Sequence, residues 1–234
     1  MPARVSPGSE PAAAELVILL HGVAMPACVL HRLARRLAAA GFRVVNHDYP
    51  WRALTLEQIA REHLPAGLRA AGAAEAPRVH FVGHSLGALI VRLHLAERRP
   101  PNLGRVVLLG PPNAGSAVAD RLDRSRLCRR LVGPNLPRLG TATPGAAAPR
   151  LPAPDYEAGV IAGARSINPV FARWLERPND GAVSVASARL AGARDVLVVP
   201  HSHTVMLWRA AVAAQVIAFL RTGRFNPAPA GGAG

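Results

Sequence analysis

The sequence predicts an α/β protein: one mostly parallel sheet of about six strands with helices on both faces, a single domain over residues 1–234. Three observations carry that prediction. Short β-like apolar runs alternate with amphipathic helical patterns along most of the chain, the order expected of parallel βαβ units. The β-like runs are nearly continuous in Val, Leu and Ile, as strands are when both sheet faces are covered. The pentapeptide Gly83-His84-Ser85-Leu86-Gly87 stands directly between one such run and a helix-like stretch.

Taken in order, residues 1–14 are rich in Pro, Ala, Ser and Gly and read as a loose arm. Residues 15–20 form the first strand and 27–40 its helix; 43–46 form the second strand and 56–71 its helix. Residues 79–82 and 86–97 are the next strand and helix, followed by strands at 105–109, 159–162 and 195–199 and a closing helix over 205–221. The segment 110–156 breaks the alternation. Pro and Gly cluster there around a basic helical stretch at 120–131, and an insertion after a strand's carboxyl end lies over the functional edge of such a sheet. It is expected to be a lid or cap, or a long surface loop. The tail 225–234, rich in Pro, Gly and Ala, is expected to fray.

Composition narrows the function classes. The longest apolar runs fall far short of the roughly 20 residues a membrane-spanning helix needs, and no charged-then-apolar leader is visible, so a cytoplasmic protein is expected. Cys28 and Cys128 lie far apart with no metal-ligand spacing, which predicts two ordinary thiols, no zinc site and no disulfide. The net charge of +14 raises the question of nucleic acid. All 28 cationic residues are Arg, spread along the chain, and with 4% aromatic residues there is no interleaving of bases and rings, so no nucleic-acid partner is expected.

Gly-x-Ser-x-Gly between a strand and a helix is the pattern of a nucleophile elbow. Its glycines, Gly83 and Gly87, remove Cβ atoms that would strike the neighbouring strand and helix, and the Ser85 hydroxyl is left at the positive end of a helix. A serine hydroxyl needs an adjacent base, and the base an orienting carboxylate. Both should follow strands, since functional groups in such sheets gather beyond the strands' carboxyl ends. His203 and His201 both follow the last strand; the reading prefers His203, which begins the turn into the final helix, and keeps His201 as the alternative base. For the carboxylate, Asp180 in Asn179-Asp180-Gly181 is preferred over Asp195, which precedes the last strand and so lies at the wrong edge. His84, inside the pentapeptide, cannot readily turn its ring onto the hydroxyl of its neighbour; His47, His63 and His94 read as packing or surface residues. An oxyanion needs backbone N–H groups, for which Leu86 and Val23 are the candidates, with His21 and Gly22 supporting the loop after the first strand.

These residues together resemble the α/β-hydrolase fold superfamily, and within it the small bacterial triacylglycerol lipases and esterases. The likeness spans most of the chain and rests on Leu19-Leu20-His21-Gly22, Gly83-His84-Ser85-Leu86-Gly87, Pro111-Pro112-Asn113-Ala114-Gly115-Ser116, Asn179-Asp180-Gly181 and His203. It implies a Ser85–His203–Asp180 triad that cleaves carboxylic esters of small molecules or lipids through an acyl-enzyme, with Val23 and Leu86 as oxyanion donors and neither cofactor nor metal. It also implies contact with a lipid surface in passing. Thioester or amide hydrolysis or acyl transfer on the same fold, a non-catalytic binding module, and an Arg-rich binder of anionic surfaces are the rival readings.

Overall fold

The computed structural model describes residues 13–141 and 151–226, so most of the expected arm, part of the 110–156 insertion and all of the tail beyond Asn226 lie outside the described residues. The strands are β1 (Leu16–Leu20), β2 (Arg43–His47), β3 (Val79–His84), β4 (Leu103–Leu109), β5 (Ala158–Gly163) and β6 (Asp195–Val199). They form one sheet in the order β2-β1-β3-β4-β5-β6 with every neighbouring pair parallel. The chain steps from β1 outward to β2 and then returns to the other side of β1 as β3. The crevice where the winding reverses therefore lies between the carboxyl ends of β1 and β3, where Leu20 is level with Gly83.

Strand alternation divides the core into two layers. Leu16, Ile18 and Leu20 of β1 and Val79 and Phe81 of β3 point into one buried cluster, while Val17, Leu19 and Val82 point into the other. The first cluster is closed by α2 (Leu56–Gln58), the π-helical turn Ile59–His63, α3 (Leu64–Ala70) and α4 (Leu86–Glu97). The second is closed by α1 (His31–Ala39) and the last helix, which meet on the opposite face through Leu33, Leu37, Val212, Val216 and Phe219. Burial on both faces explains the unbroken apolar strands of the sequence. The two edge strands are different: β2 carries an exposed Arg43 and half-buried Val44 and Val45, and Val196 and Val198 of β6 are exposed.

Several expected helices are subdivided, each for a local reason. The stretch 27–40 begins as a 3₁₀ turn at Ala27–Leu30 before α1, after an extended Pro26 with no side-chain cap. The stretch 56–71 is one continuous rod, but Pro65 has no N–H to give the carbonyl four residues back, and the π turn just before it absorbs the mismatch. Its start is fixed by a capping box between Thr55 and Gln58. The expected helix at 120–131 is two helices, α5 (Ala117–Asp123) and α6 (Arg126–Val132), because Ser116 and Ser125 each cap a new first turn. Two short helices that carried no legible signal, α7 (Pro169–Ala172) and α8 (Val185–Ala188), follow β5. The closing stretch 205–221 is a 3₁₀ turn, Val205–Trp208, then an extended Arg209, then α9 (Ala210–Thr222). No helix among the described residues is long and apolar enough to cross a membrane.

Four histidines are folded into this framework. His80, His84 and His94 are held below the usual imidazole range by burial, and His47, at the end of β2, is lowered to about 4 by burial and by His63, whose Nδ1 lies 3.1 Å from its Nε2. All are neutral in the folded protein at pH 7, whereas in the unfolded chain they titrate at about 6.5. Below that pH the unfolded state binds more protons, so the stability these groups contribute is present above about pH 6.5 and is lost as pH falls toward 4. The melting temperature measured by circular dichroism is expected to fall steadily from pH 7 to pH 5, and a His47→Asn protein to lose less over the same interval.

Candidate active site

Ser85 follows β3 with φ 53° and ψ −117°, a backbone conformation that L-residues seldom adopt. Its N–H donates to the Leu109 carbonyl at 3.0 Å, which ties the turn to the end of β4. The turn is tight enough to exclude side chains at both glycines. A Cβ on Gly83 would stand 2.7 Å from the Ala88 backbone, and one on Gly87 would strike the carbonyl oxygens of Leu20 and His21. Gly22 is equally confined, since a Cβ there would lie 2.9 Å from His84 Nδ1 and 3.1 Å from Ser85 Cβ. The loop after β1 thus packs directly on the elbow. Leu86 opens α4, where the first N–H groups have no partner within the helix.

The loop 21–25 is held from behind. The His21 ring stacks on Tyr49, with centroids 4.2 Å apart, and its nitrogens reach the Gly22 carbonyl and the Asp48 carboxylate. The Tyr49 hydroxyl donates to the His21 carbonyl. Ala24 has φ 57°, so the loop carries a second left-handed residue close to the elbow. Val23 and Ala24 both line the cavity in front of Ser85.

His203 lies in the turn after β6, and its Nδ1 is 2.7 Å from Asp180 Oδ2. Asp180 is buried, and its other oxygen, Oδ1, accepts from the Ala182 and Val183 N–H groups at 2.9 and 2.7 Å. The backbone reinforces the pair, since the His203 N–H donates to the Asp180 carbonyl. His84 lies beneath: its Nε2 donates to the His203 carbonyl at 3.0 Å, and the two rings are 4.5 Å apart. Of the two histidines after β6, only His203 touches Asp180 and lines the cavity with Ser85. The N–H of His201 is taken by the Val199 carbonyl, and its ring is on neither. Asp195 starts β6 and accepts from the Val196 and Phe225 N–H groups, away from these residues.

Two residues that sequence reasoning passed over, Gly110 and Arg92, support the site. Gly110, at φ 52° after β4, would put a Cβ 2.9 Å from His203 Nδ1 and 3.2 Å from Asp180 Oδ2, so the His–Asp contact needs a glycine at this point. Arg92, buried on α4 without a carboxylate partner among the described residues, donates to Asn113 Oδ1 at 2.8 Å and to the carbonyls of Leu151 and Pro152. Asn113 passes the connection on to the Ala188 carbonyl. Arg92 thereby clasps both ends of the 110–156 insertion. The signal available for these residues was slight: a Gly before Pro-Pro, and one Arg on an otherwise apolar helical face.

Ser85 and His203 open onto a cavity of about 220 Å³ whose far wall is apolar, built from Val118, Leu122, Val132, Leu136 and Leu139 of the insertion and Phe171 of α7. No group of three or more His, Cys, Asp or Glu among the described residues could hold a metal ion.

A family model described as "Alpha/beta hydrolase family" matches residues 17–230. Among solved structures, the mature form of the Bacillus licheniformis lipase BlEst2 is similar with a TM-score of 0.69 at 18% identity, covering 94% of this chain and 96% of that one. Aspergillus fumigatus lipase B gives 0.65 at 20% identity, covering 92% of this chain and 55% of that one. The metagenomic carboxyl esterase MGS0156 gives 0.61 at 19%, covering 88% and 71%. At such identities the likeness is one of fold. No curated protein matches the sequence.

Substitutions at two positions test this geometry. Gly110→Ala adds a Cβ at a left-handed position against the His203 ring and is expected to destabilise by about 1–3 kcal/mol, with loss of the His203 Nδ1 proton signal in NMR spectra. Arg92→Met leaves the Asn113, Leu151 and Pro152 oxygens without their donor and is expected to cost about 3 kcal/mol in urea unfolding. Arg92→Lys recovers little of that, because one ammonium cannot span three acceptors placed for a planar fork.

Proposed function

The chain belongs to the alpha/beta hydrolase family, and from that premise we propose that it is a serine hydrolase of carboxylic esters working through an acyl-enzyme on Ser85. The observation that carries the reading is the 2.7 Å contact between His203 Nδ1 and buried Asp180 in a cavity shared with a backbone-strained serine. Asp180 accepts a hydrogen bond from Nδ1–H, which keeps the proton on Nδ1 and leaves Nε2 of His203 as the base. Ser85 Oγ gives its proton to that nitrogen as it bonds to the ester carbonyl carbon. The carbonyl electrons move to the oxygen, which the N–H groups of Leu86 and Val23 receive. Collapse of the tetrahedral adduct breaks the bond to the alkoxy group, which takes the proton from His203 and departs as the alcohol. Water then repeats the sequence on the acyl-enzyme, with His203 as base, and releases the acid.

The apolar wall from Val118 to Leu139 suits a hydrocarbon acyl chain better than a charged or sugar acyl group, since none of its side chains could pay back the desolvation of a polar one. The similar structures include two lipases and a carboxyl esterase, and that likeness supports the same class.

The test is hydrolysis of short- and long-chain p-nitrophenyl esters, with thioester and amide analogues alongside. Ser85→Ala and His203→Ala are each expected to lower kcat by on the order of 10⁴- to 10⁶-fold with the fold intact, and Asp180→Asn by about 10³- to 10⁴-fold. His201→Ala should stay within a few-fold of the parent. Equal losses in His201→Ala and His203→Ala would overturn the choice of base, and turnover of thioester or amide alone would overturn the ester assignment.

A further inference from the structure

The insertion helices have an outer side as well as an inner one. Of the seven large apolar side chains exposed among the described residues, four sit on two short segments: Leu127 (66%) and Leu131 (54%) on α6, and Ile167 (76%) and Val170 (54%) at the start of α7. These segments also wall the cavity, through Val132 and Phe171, the residues next to Leu131 and Val170. Leu127 and Leu131 are one helical turn apart and so share a face of α6, a helix with no buried residue at all. α5 packs beside α6, and its Arg121 guanidinium lies 5.0 Å over the ring of Trp174, two residues beyond the end of α7.

Charge gathers in the same place. Residues 121–132 and 165–177 hold eight of the chain's 28 arginines against two carboxylates, in about a tenth of the sequence, so the local density is well above the general Arg enrichment. All eight are exposed. One carboxylate, Asp123, is taken by Arg129, while Arg126 and Arg130, beside the exposed leucines, have no carboxylate partner among the described residues. Exposed Leu, Ile and Val set in a rim of cationic side chains match an anionic lipid surface. The apolar tips enter the acyl boundary while guanidinium groups stay at the phosphates.

We propose that α6 and the start of α7 form a docking surface for an anionic lipid bilayer, which seats the mouth of the Ser85 cavity against it. The docking is separate from ester hydrolysis and would stand if that reading failed.

The experiment is co-sedimentation of the Ser85→Ala protein, which excludes turnover, with vesicles of phosphatidylcholine alone or with part of it replaced by phosphatidylglycerol. Binding is expected only to the anionic vesicles, and to be lost as added salt shortens the screening length from about 10 Å to about 3 Å. Leu127→Ser with Leu131→Ser should abolish it, and Arg126→Gln with Arg130→Gln should weaken it about thirty-fold. The exposed pair Arg32 and Arg35, on α1 across the sheet, serves as control: Arg32→Gln with Arg35→Gln should leave binding within about two-fold. Binding equal on neutral vesicles, no binding to either, or equal loss in both arginine pairs would overturn the proposal, the last by showing an effect of net charge alone. Circular dichroism melts confirm that each variant is folded. If a rim variant does not fold, the lipid and salt dependence of the Ser85→Ala protein still decides.

Discussion

The site depends on one constraint, the left-handed backbone of Ser85 between β3 and α4. A conformation of this kind costs about 1–3 kcal/mol and persists only when its surroundings leave no alternative. Here they leave none. Ser85 N–H is held by Leu109, α4 sits against Gly83 with no room for a Cβ, and Gly87 lies on the carbonyls that end β1. The same contacts that impose the strain bring the loop after β1 to the elbow, so that the candidate nucleophile and the candidate oxyanion donors are placed by a single packing event rather than separately.

Asp180 and His203 reach that point from the other half of the sheet. Their loops leave β5 and β6, whose carboxyl ends are level at Gly163 and Val199, and the bare backbone of Gly110 and Gly163 lets the pair settle onto the sheet edge. His84 links the halves: buried and neutral, it joins the elbow to the His203 carbonyl. The carboxylate has its two backbone donors and the imidazole, and no arginine among the described residues bonds to it.

Much of this was legible in the sequence because the signals are local. Continuous apolar strands, the glycines around Ser85 and the turn at Asn179-Asp180-Gly181 state their geometry in a few adjacent residues. The sheet order, by contrast, is a property of the whole chain, and the alternation of strands and helices implied only its parallel sense. What escaped is what depends on distant neighbours. Gly110 matters because of a histidine 93 positions later, and Arg92 because of carbonyls on a segment that returns some 60 residues on. The split of 120–131 into two helices was written in Ser125, but a mid-run serine is ambiguous until its hydroxyl is seen to accept from Cys128. The π turn at 59–63 leaves no trace in hydrophobic period, since it slips the register by only one residue.

The Arg92 clasp separates two lengths that usually change together. It fixes the span between Asn113 and Leu151 at the sheet edge whatever the chain does between them. Loop-closure entropy rises only by about 0.6 kcal/mol for each doubling of loop length. The two ends of the insertion are therefore held on a fixed frame, so that a change of length between them would reshape the apolar wall from Val118 to Leu139 while Ser85, His203 and Asp180 keep their positions at the sheet edge.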